Sequence, residues 1–527
     1  MNAFETRRYQ TDLRQRVTRS AQRTVIVLAL LITGCAALPP RPELPDTYAS
    51  PPAGSGEISA LASRFKAKHG AGLSGFHLLP DARESLLARL ALVDLAQTSI
   101  DIQYFIWQDD ATGNLLFDRL LRAADRGVRV RILVDDLALA AKSRDLAIFS
   151  SHPNLDIRLF NPNPSRDNAG GWAFQFLASF KELNRRMHNK LLIVDGHVAV
   201  IGGRNIGNEY FGLSTQYNFL DVDVLMLGAV IEEAAHAFDD YWNQEIAFPA
   251  SAWGTDFDAK ALAALRGEVE EDIDDSRELL QSYPLQPLPW THWLAAIEAD
   301  LKTGTAHLLQ DDPIEIDGQD YRLVDMIDYI AAPAQQEVLL SSPYLIPVSG
   351  FLEEVRAEVD KGVSMRLLTG SLGSNNHTAA HSHYKKYRTR ILATGAKLYE
   401  FHHEPPPEIR AQSDVPPIRA QFISLHAKVI VADRRLSFIG SLNFDPRAID
   451  INTENGLLIE SAELGEQLAA LLDKLMSPEV AWQVLLDENG ALRWESAQGA
   501  VTSQPARSGG QRVSDFFFRL LPIESQL

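Results

Sequence analysis

His188-Asn-Lys190-Leu-Leu-Ile-Val-Asp195 is followed, after six residues, by Gly202-Gly-Arg-Asn205. In the second half of the chain His426-Ala-Lys428-Val-Ile-Val-Ala-Asp433 is followed, again after six residues, by Gly440-Ser-Leu-Asn443. Leu191-Leu-Ile-Val and Val429-Ile-Val-Ala are apolar, largely β-branched runs of the kind that form buried strands. Residues i and i+2 of an extended segment project to one face, so each histidine and its lysine point the same way. Asp195-Gly196 signals a hairpin turn, and Val198-Ala-Val-Ile201 returns the chain, bringing Asn205 back beside His188. Asp433-Arg-Arg with Leu436-Ser-Phe-Ile439 repeats the pattern.

Working outward, the duplication extends well beyond these motifs. Asp101-Ile-Gln-Tyr104-Phe-Ile-Trp107 reads as a buried strand and corresponds to Leu340-Ser-Ser-Pro-Tyr344-Leu-Ile-Pro347. A helical stretch follows each, at 114–126 and 350–361. Then come Gly127-Val-Arg-Val-Arg-Ile-Leu-Val-Asp135 and Gly362-Val-Ser-Met-Arg-Leu-Leu-Thr-Gly370, each a helix-ending glycine leading into a strand. Strand, helix and strand make a βαβ unit, which predicts a parallel pair within a mixed sheet covered by helices. The offset between halves stays nearly constant, at 240 residues for Tyr104 and Tyr344, 235 for Gly127 and Gly362, and 238 for His188 and His426. The predicted fold class is therefore α/β, with two pseudo-twofold-related halves at 59–255 and 306–500. An acidic, helical segment at 256–305 reads as an insertion or bridge, and 501–527 as an apolar, aromatic tail.

Each half offers a His, a Lys and an Asn at one sheet edge, and bringing the halves together doubles the set. Lys190, Lys428, Asn205 and Asn443 suit the phosphoryl oxygens of a phosphodiester, stabilising a pentacoordinate transition state without a metal. One of His188 and His426 can attack phosphorus while the other protonates the departing alcohol and then deprotonates the incoming one. A single imidazole cannot sit on both sides of the phosphorus, which explains the doubling. Asp195 lies roughly 23 Å from His188 along an extended strand, at about 3.3 Å per residue. It and Asp433 are accordingly read as structural, holding the turn or pairing with a base elsewhere. Aligning Phe219-Leu-Asp221 with Asn452-Thr-Glu454 nominates Asp221 and Glu454 as the carboxylates that orient the imidazoles.

The composition bounds the function. The chain has 527 residues, a hydrophobic content of 46% and a net charge of -19, which suits a globular protein and argues against one that coats nucleic acid. Its single cysteine, Cys35, follows Thr24-Val-Ile-Val-Leu-Ala-Leu-Leu-Ile-Thr-Gly34, itself preceded by six arginines and two acids. A basic region and a short apolar run make a secretory signal, too short for a comfortable membrane-spanning helix. Ile32-Thr33-Gly34-Cys35 resembles a bacterial lipoprotein box, so residues 1–35 read as a leader with Cys35 lipidated, and the rest as facing the periplasm from the cell envelope. Residues 36–58, rich in Pro, Ala, Gly and Ser, read as a flexible tether.

The doubled motif resembles the phospholipase D superfamily. Tyr104-Phe-Ile-Trp-Gln-Asp-Asp110, Asn184-Arg-Arg-Met-His-Asn-Lys190, Glu209-Tyr-Phe211 and Gly440-Ser-Leu-Asn-Phe-Asp-Pro-Arg447 with Asn452-Thr-Glu454 look like the bacterial C-type cardiolipin synthases. The resemblance runs from about residue 59 to the C-terminus. It implies a mixed-sheet sandwich of two halves, a phosphohistidine intermediate on His188 with His426 as acid and base, and no metal or other cofactor. It also implies phospholipid substrates, with a phosphatidyl group passing to phosphatidylglycerol and phosphatidylethanolamine as an alternative substrate, and no nucleic-acid partner. The same intermediate also serves a lipid hydrolase. A nuclease is disfavoured by the charge, and an inactive membrane scaffold by the intact pair of motifs.

Overall fold

The computed structural model describes residues 37–139, 142–167, 183–314, 323, 333–521 and 523–527. The leader and Cys35 lie outside the described residues.

The first half contains β1 (Ser74–Leu79), β2 (Ser99–Trp107), β3 (Arg129–Leu139), β4 (Leu155–Phe160), β5 (Leu191–Val194), β6 (Val198–Gly202), β7 (Tyr217–Leu220), β8 (Asp223–Gly228) and β9 (Ala247–Pro249). All but β7 lie in one mixed sheet of order β1-β8-β6-β5-β2-β3-β4-β9. The second half contains β10 (Lys302–Gln310), β11 (Glu337–Ser341), β12 (Ser364–Gly370), β13 (Lys397–Phe401), β14 (Phe422–Leu425), β15 (Val429–Ala432), β16 (Leu436–Gly440), β17 (Asn455–Glu460) and β18 (Ala481–Leu486). Its order, β10-β17-β16-β15-β11-β12-β13-β18, repeats that of the first half strand for strand. A terminal hairpin, β19 (Leu492–Ser496) and β20 (Gly499–Val501), extends it.

The predicted βαβ units are present in both halves. β2 runs parallel to β3 across the helix Ala111–Asp125, and β11 parallel to β12 across the helix Phe351–Asp360. Gly127 and Gly362 take nearly identical left-handed conformations, φ 93° and 94°, which only glycine adopts without strain after a helix.

Two further pairings join the halves. β1 pairs antiparallel with β10, placing Gly75 opposite Thr303 and fusing the two sheets edge to edge. β7 and β14 form a separate parallel pair, with Tyr217 opposite Phe422 and Leu220 opposite Leu425. The alternation of the motif strands explains the shared core. Leu191, Ile193 and Ile201 of the first half and Val429, Val431 and Ile439 of the second belong to one buried cluster. Each such side chain stabilises the association by about 1.5–3 kcal/mol.

The bridge is helical, as the sequence reading has it, and the tether differs from that reading. The helices Ala259–Asp275 and Thr291–Asp300 bury Val269, Ile273, Leu294 and Ile297 in the first half's core, and the second half opens with β10 at Lys302 rather than near 306. Composition predicts a loose tether at 36–58, yet its described part is a strap along the first half, and the helix Glu57–His69 begins inside it. Thr47 N–H donates to Asn243 Oδ1 at 3.1 Å, Arg131 Nη1 and Trp242 Nε1 both donate to Thr47 at 2.9 Å, and Ala53 N–H donates to the Asp195 carbonyl at 2.9 Å. Specific partners contributed by β3, the helix Ile231–Trp242 and the motif hairpin override the flexible composition.

Candidate active site

The two motifs meet where each half lends a segment to the other. His188 N–H donates to the Thr453 carbonyl at 2.8 Å, and Thr453 N–H to the Arg186 carbonyl at 2.9 Å. His426 N–H donates to the Leu220 carbonyl at 2.8 Å, continuing the β7–β14 pairing. His188 and Lys190 lie just before β5, and His426 and Lys428 just before β15, so the catalytic candidates sit at strand entrances and not within the strands.

This exchange of segments crosses the carboxylates. Glu454 Oε2 lies 2.7 Å from His188 Nδ1, and Asp221 Oδ2 lies 2.5 Å from His426 Nδ1. The sequence alignment paired Asp221 with Glu454 as equivalents; the geometry adds that each contacts the histidine of the opposite half. Both carboxylates are fully buried. With Nδ1 engaged, Nε2 is the nitrogen left to react on each ring. Phe105 packs edge-on against His188 at 4.9 Å, while Phe219 and Tyr210 pack against His426 at 4.4 and 5.5 Å, fixing the ring planes.

One difference between the motifs, Gly203 against Ser441, has a local cause. A Cβ at Gly203 would lie 2.3 Å from Asp221 Oδ1, so the short carboxylate occupies the space a side chain would need. Ser441 instead fills that space and donates its hydroxyl to Glu454 Oε2. Gly203 with Asp221 and Ser441 with Glu454 are two solutions to one packing problem.

Both lysines are buried at 1–2% exposure. Lys190 Nζ donates to the His188 carbonyl, and Lys428 Nζ lies 2.6 Å from the His426 carbonyl and 2.8 Å from its Nδ1. Burial lowers Lys190 to about 7 and Lys428 to about 8, against the opposing pull of Glu454 and Asp221. Burial, reinforced by the ammonium groups of both motifs, holds His188 well below the usual imidazole range and takes His426 down to about 3. For Asp221 burial acts upward, but His426 and Lys428 outweigh it and keep the carboxyl low. Near neutral pH the site therefore holds neutral imidazoles and an ionised Asp221, with lysines poised close to their own titration. Lys190 feels the charge of Lys428, and each lysine acts on the histidine of the opposite motif, which places both motifs in one electrostatic site.

The asparagines differ. Asn205 Oδ1 accepts from Ile106 N–H at 3.1 Å and its Nδ2 donates to Tyr210 Oη at 2.9 Å, linking it to the ring beside His426. Asn443 is 9% exposed and its Oδ1 is buried with no partner among the described residues. Asp195 and Asp433 lie on the far side of their hairpins. Asp195 accepts from Gln97, Thr98 and Ser99 N–H, and Asp433 from Gln335, Gln336 and Glu337 N–H, so each ties the start of a central strand, β2 or β11, to a motif turn. Both turns place two successive residues at positive φ, Asp195-Gly196 and Asp433-Arg434. Arg434 adopts this conformation without being glycine and is held by Glu337 at 2.7 Å and Asp473 at 2.6 Å.

Sequence reasoning passed over two groups. Arg447 contributes to lowering His188 and is fixed by Asn184, at 2.9 Å to Oδ1. Asp445 caps the helix Pro446–Asp450 and is raised by burial to about 6. The signal was present in a departure from symmetry, since Asp445-Pro-Arg447 stands where the first half has Gly207-Asn-Glu209.

Known proteins resemble this chain over most of its length. The sequence profile of a family described as "Cardiolipin synthase, PLD-like domain" matches residues 90–242 and again 326–476. Cardiolipin synthase C of Escherichia coli (strain K12) is 34% identical over 475 residues, covering 86% of this chain and 96% of that protein. An uncharacterized protein of Helicobacter pylori (strain J99) is 30% identical, covering 88% of this chain and 90% of its own length. Among solved structures, phosphatidylserine synthase of Haemophilus influenzae Rd KW20 superposes with a TM-score of 0.54 at 15% identity, covering 88% of this chain and 100% of that one, a likeness of fold.

Proposed function

We propose that this chain, which belongs to the cardiolipin synthase family of PLD-like proteins, transfers a phosphatidyl group from one phospholipid to the glycerol hydroxyl of phosphatidylglycerol. The observation that carries the reading is the crossed pair, with each histidine bound through Nδ1 to a carboxylate of the opposite half at 2.7 and 2.5 Å, beside two buried lysines. Such a site is incomplete in either half alone.

In the first step the neutral Nε2 of His188 attacks phosphorus. The phosphorus–oxygen bond to the headgroup breaks, and His426 donates the proton the departing alcohol needs. His426 can do so once the anionic phosphodiester lies between the lysines, because a negative charge nearby raises an imidazole's pKa, and Asp221 stabilises the imidazolium. Lys190 and Lys428 donate to the non-bridging oxygens as charge builds. In the second step His426 takes the proton of the incoming hydroxyl, whose oxygen attacks phosphorus and breaks the phosphorus–nitrogen bond to His188. The donor is phosphatidylglycerol or phosphatidylethanolamine. The leader and Cys35 support a lipid-anchored address in the cell envelope, facing the periplasm.

The test incubates purified protein with vesicles of phosphatidylglycerol and phosphatidylethanolamine and identifies the products by mass. Cardiolipin with released glycerol or ethanolamine supports transfer. Phosphatidic acid alone would make water the acceptor, and unchanged lipids would refute phosphatidyl chemistry.

A further inference from the structure

The helix Gly509–Phe518 near the C-terminus is amphipathic in the inverted sense. Its docked side is polar. Gln511 Nε2 donates to the Leu372 carbonyl at 2.5 Å, and Asp515, 1% exposed, is bonded to Lys385, to His381 at 3.1 Å and to Gln504 at 2.9 Å. Its outward side is apolar. Val513, Phe516 and Phe517 are 57%, 56% and 62% exposed, at the i, i+3, i+4 spacing of a single helical stripe, and Leu520, in the turn that follows, is 65% exposed. A helix at a water-facing surface normally shows the opposite arrangement, and a contiguous apolar patch of this kind marks a partner surface.

Charge narrows the partner. Between residues 507 and 521 the exposed charges are Arg507, Arg512 and Arg519, and the one acid, Asp515, is buried and paired, in a chain whose net charge is -19. Aromatic and aliphatic residues flanked by arginines fit the interface of an anionic bilayer. Position narrows it further. Eleven and twelve residues beyond Asp515, the chain reaches the rim of the site: Asn184 Nδ2 donates to Gln526 Oε1 at 2.9 Å, and Arg447 N–H donates to the Leu527 carbonyl at 2.9 Å. Arg447 is the residue whose charge acts on His188. Glu524 holds the same segment through His383 at 2.9 Å and Lys386 at 2.8 Å.

We propose that residues 509–521 dock on the surface of an anionic phospholipid bilayer and thereby hold the mouth of the active site against it. This rests on the reading that the substrates are phospholipids. Lipid reaches a nearly closed site, with His188 and His426 only 7% and 6% exposed, by leaving the bilayer at the point where the protein seals against it. The docking helix is continuous in chain with the segment that lines that point.

The experiment measures amide hydrogen exchange on the full chain, with and without vesicles of phosphatidylglycerol and phosphatidylcholine. Slowed exchange in 509–521, absent with pure phosphatidylcholine, is the expected result. Binding without protection there overturns the proposal, as does protection that depends on protein concentration and not on vesicles, which would make a second copy the occupant. The variant Phe516→Ser/Phe517→Ser/Leu520→Ser tests the consequence. Its turnover on vesicles falls about tenfold or more, since each such side chain contributes roughly a factor of ten to apolar transfer, while turnover of a short-chain phosphatidylglycerol dissolved as monomers stays within about twofold. Equal loss on both substrates overturns the docking role. Exchange reads docking without turnover, so an inactive wild-type protein that still shows the protection would fault the catalytic reading and not this one.

Discussion

Replacing Glu454 by Gln isolates the most specific feature of the site. The side chain keeps its size in a fully buried position, 2.7 Å from His188 Nδ1, but loses its charge. Two effects follow. A glutamine nitrogen can donate to Nδ1 and hold the proton on Nε2, where attack on phosphorus must occur. The amide also cannot stabilise a developing positive charge on the ring. A charge-assisted hydrogen bond contributes about 1.5–3 kcal/mol, and wrong-tautomer substitutions cost more, so kcat falls on the order of 10² to 10⁴-fold. Secondly, Glu454 is the chief counter-charge opposing the burial of Lys190, already down to about 7. Without it Lys190 titrates lower still, and the alkaline fall in kcat/KM moves to lower pH. The assay is kcat/KM on phosphatidylglycerol vesicles across pH 5–9 for wild type and variant, with a thermal melt to establish folding. Activity within threefold of wild type, or an unmoved alkaline limb, would refute the cross-half assignment.

Other perturbations separate orientation from stability. Gly203→Ala forces a Cβ to within 2.3 Å of Asp221 Oδ1 and should displace that carboxylate from His426, lowering kcat at least about tenfold (1.4 kcal/mol); Ser441→Ala, which only removes a hydroxyl donor, should cost less in the same assay. Asp195→Ala removes the acceptor shared by Gln97, Thr98 and Ser99 N–H and should destabilise the fold by about 2–4 kcal/mol, read as a lowered Tm, while the protein that remains folded keeps its pH profile. Lys190 and Lys428 sit below the unfolded lysine value, so above about pH 7 the unfolded chain binds more protons and these groups add stability as pH rises; the alkaline loss of activity should occur with no fall in Tm attributable to them. His188 and His426, likewise depressed in the folded state, act in the same sense in a more acid window, so their contribution falls as pH falls below about 6.5.

The strand-level repeat was legible because it depends on local signals: apolar strand runs, helix-ending Gly127 and Gly362, and the turns at Asp195 and Asp433. The identity of the site was legible because chemistry-bearing residues recur at fixed spacing. The crossing of Glu454 to His188 and Asp221 to His426 was not, since it depends on the bridge of Met187 with Thr453 and on the pairing of β7 with β14, whose partners lie more than 200 residues apart and carry no mutual signal in one sequence. The strap at 37–56 misled for a related reason. Its Pro and Ala content says nothing of Trp242, Arg131 and Asn243, which wait on the folded surface. The inverted helix at 509–518 was visible only as an apolar tail until Asp515 was seen to be its anchor.

The account's central claim, that two distant imidazoles act on one phosphorus atom with different roles, is tested by rapid quenching after mixing with phosphatidylglycerol labelled at phosphorus, followed by peptide mapping at alkaline pH, where phosphohistidine survives. Wild-type protein quenched during turnover should carry label on His188, and His188→Ala should show none. Label on any residue of the His188→Ala protein, or turnover by that protein at more than a few per cent of wild type, would contradict it.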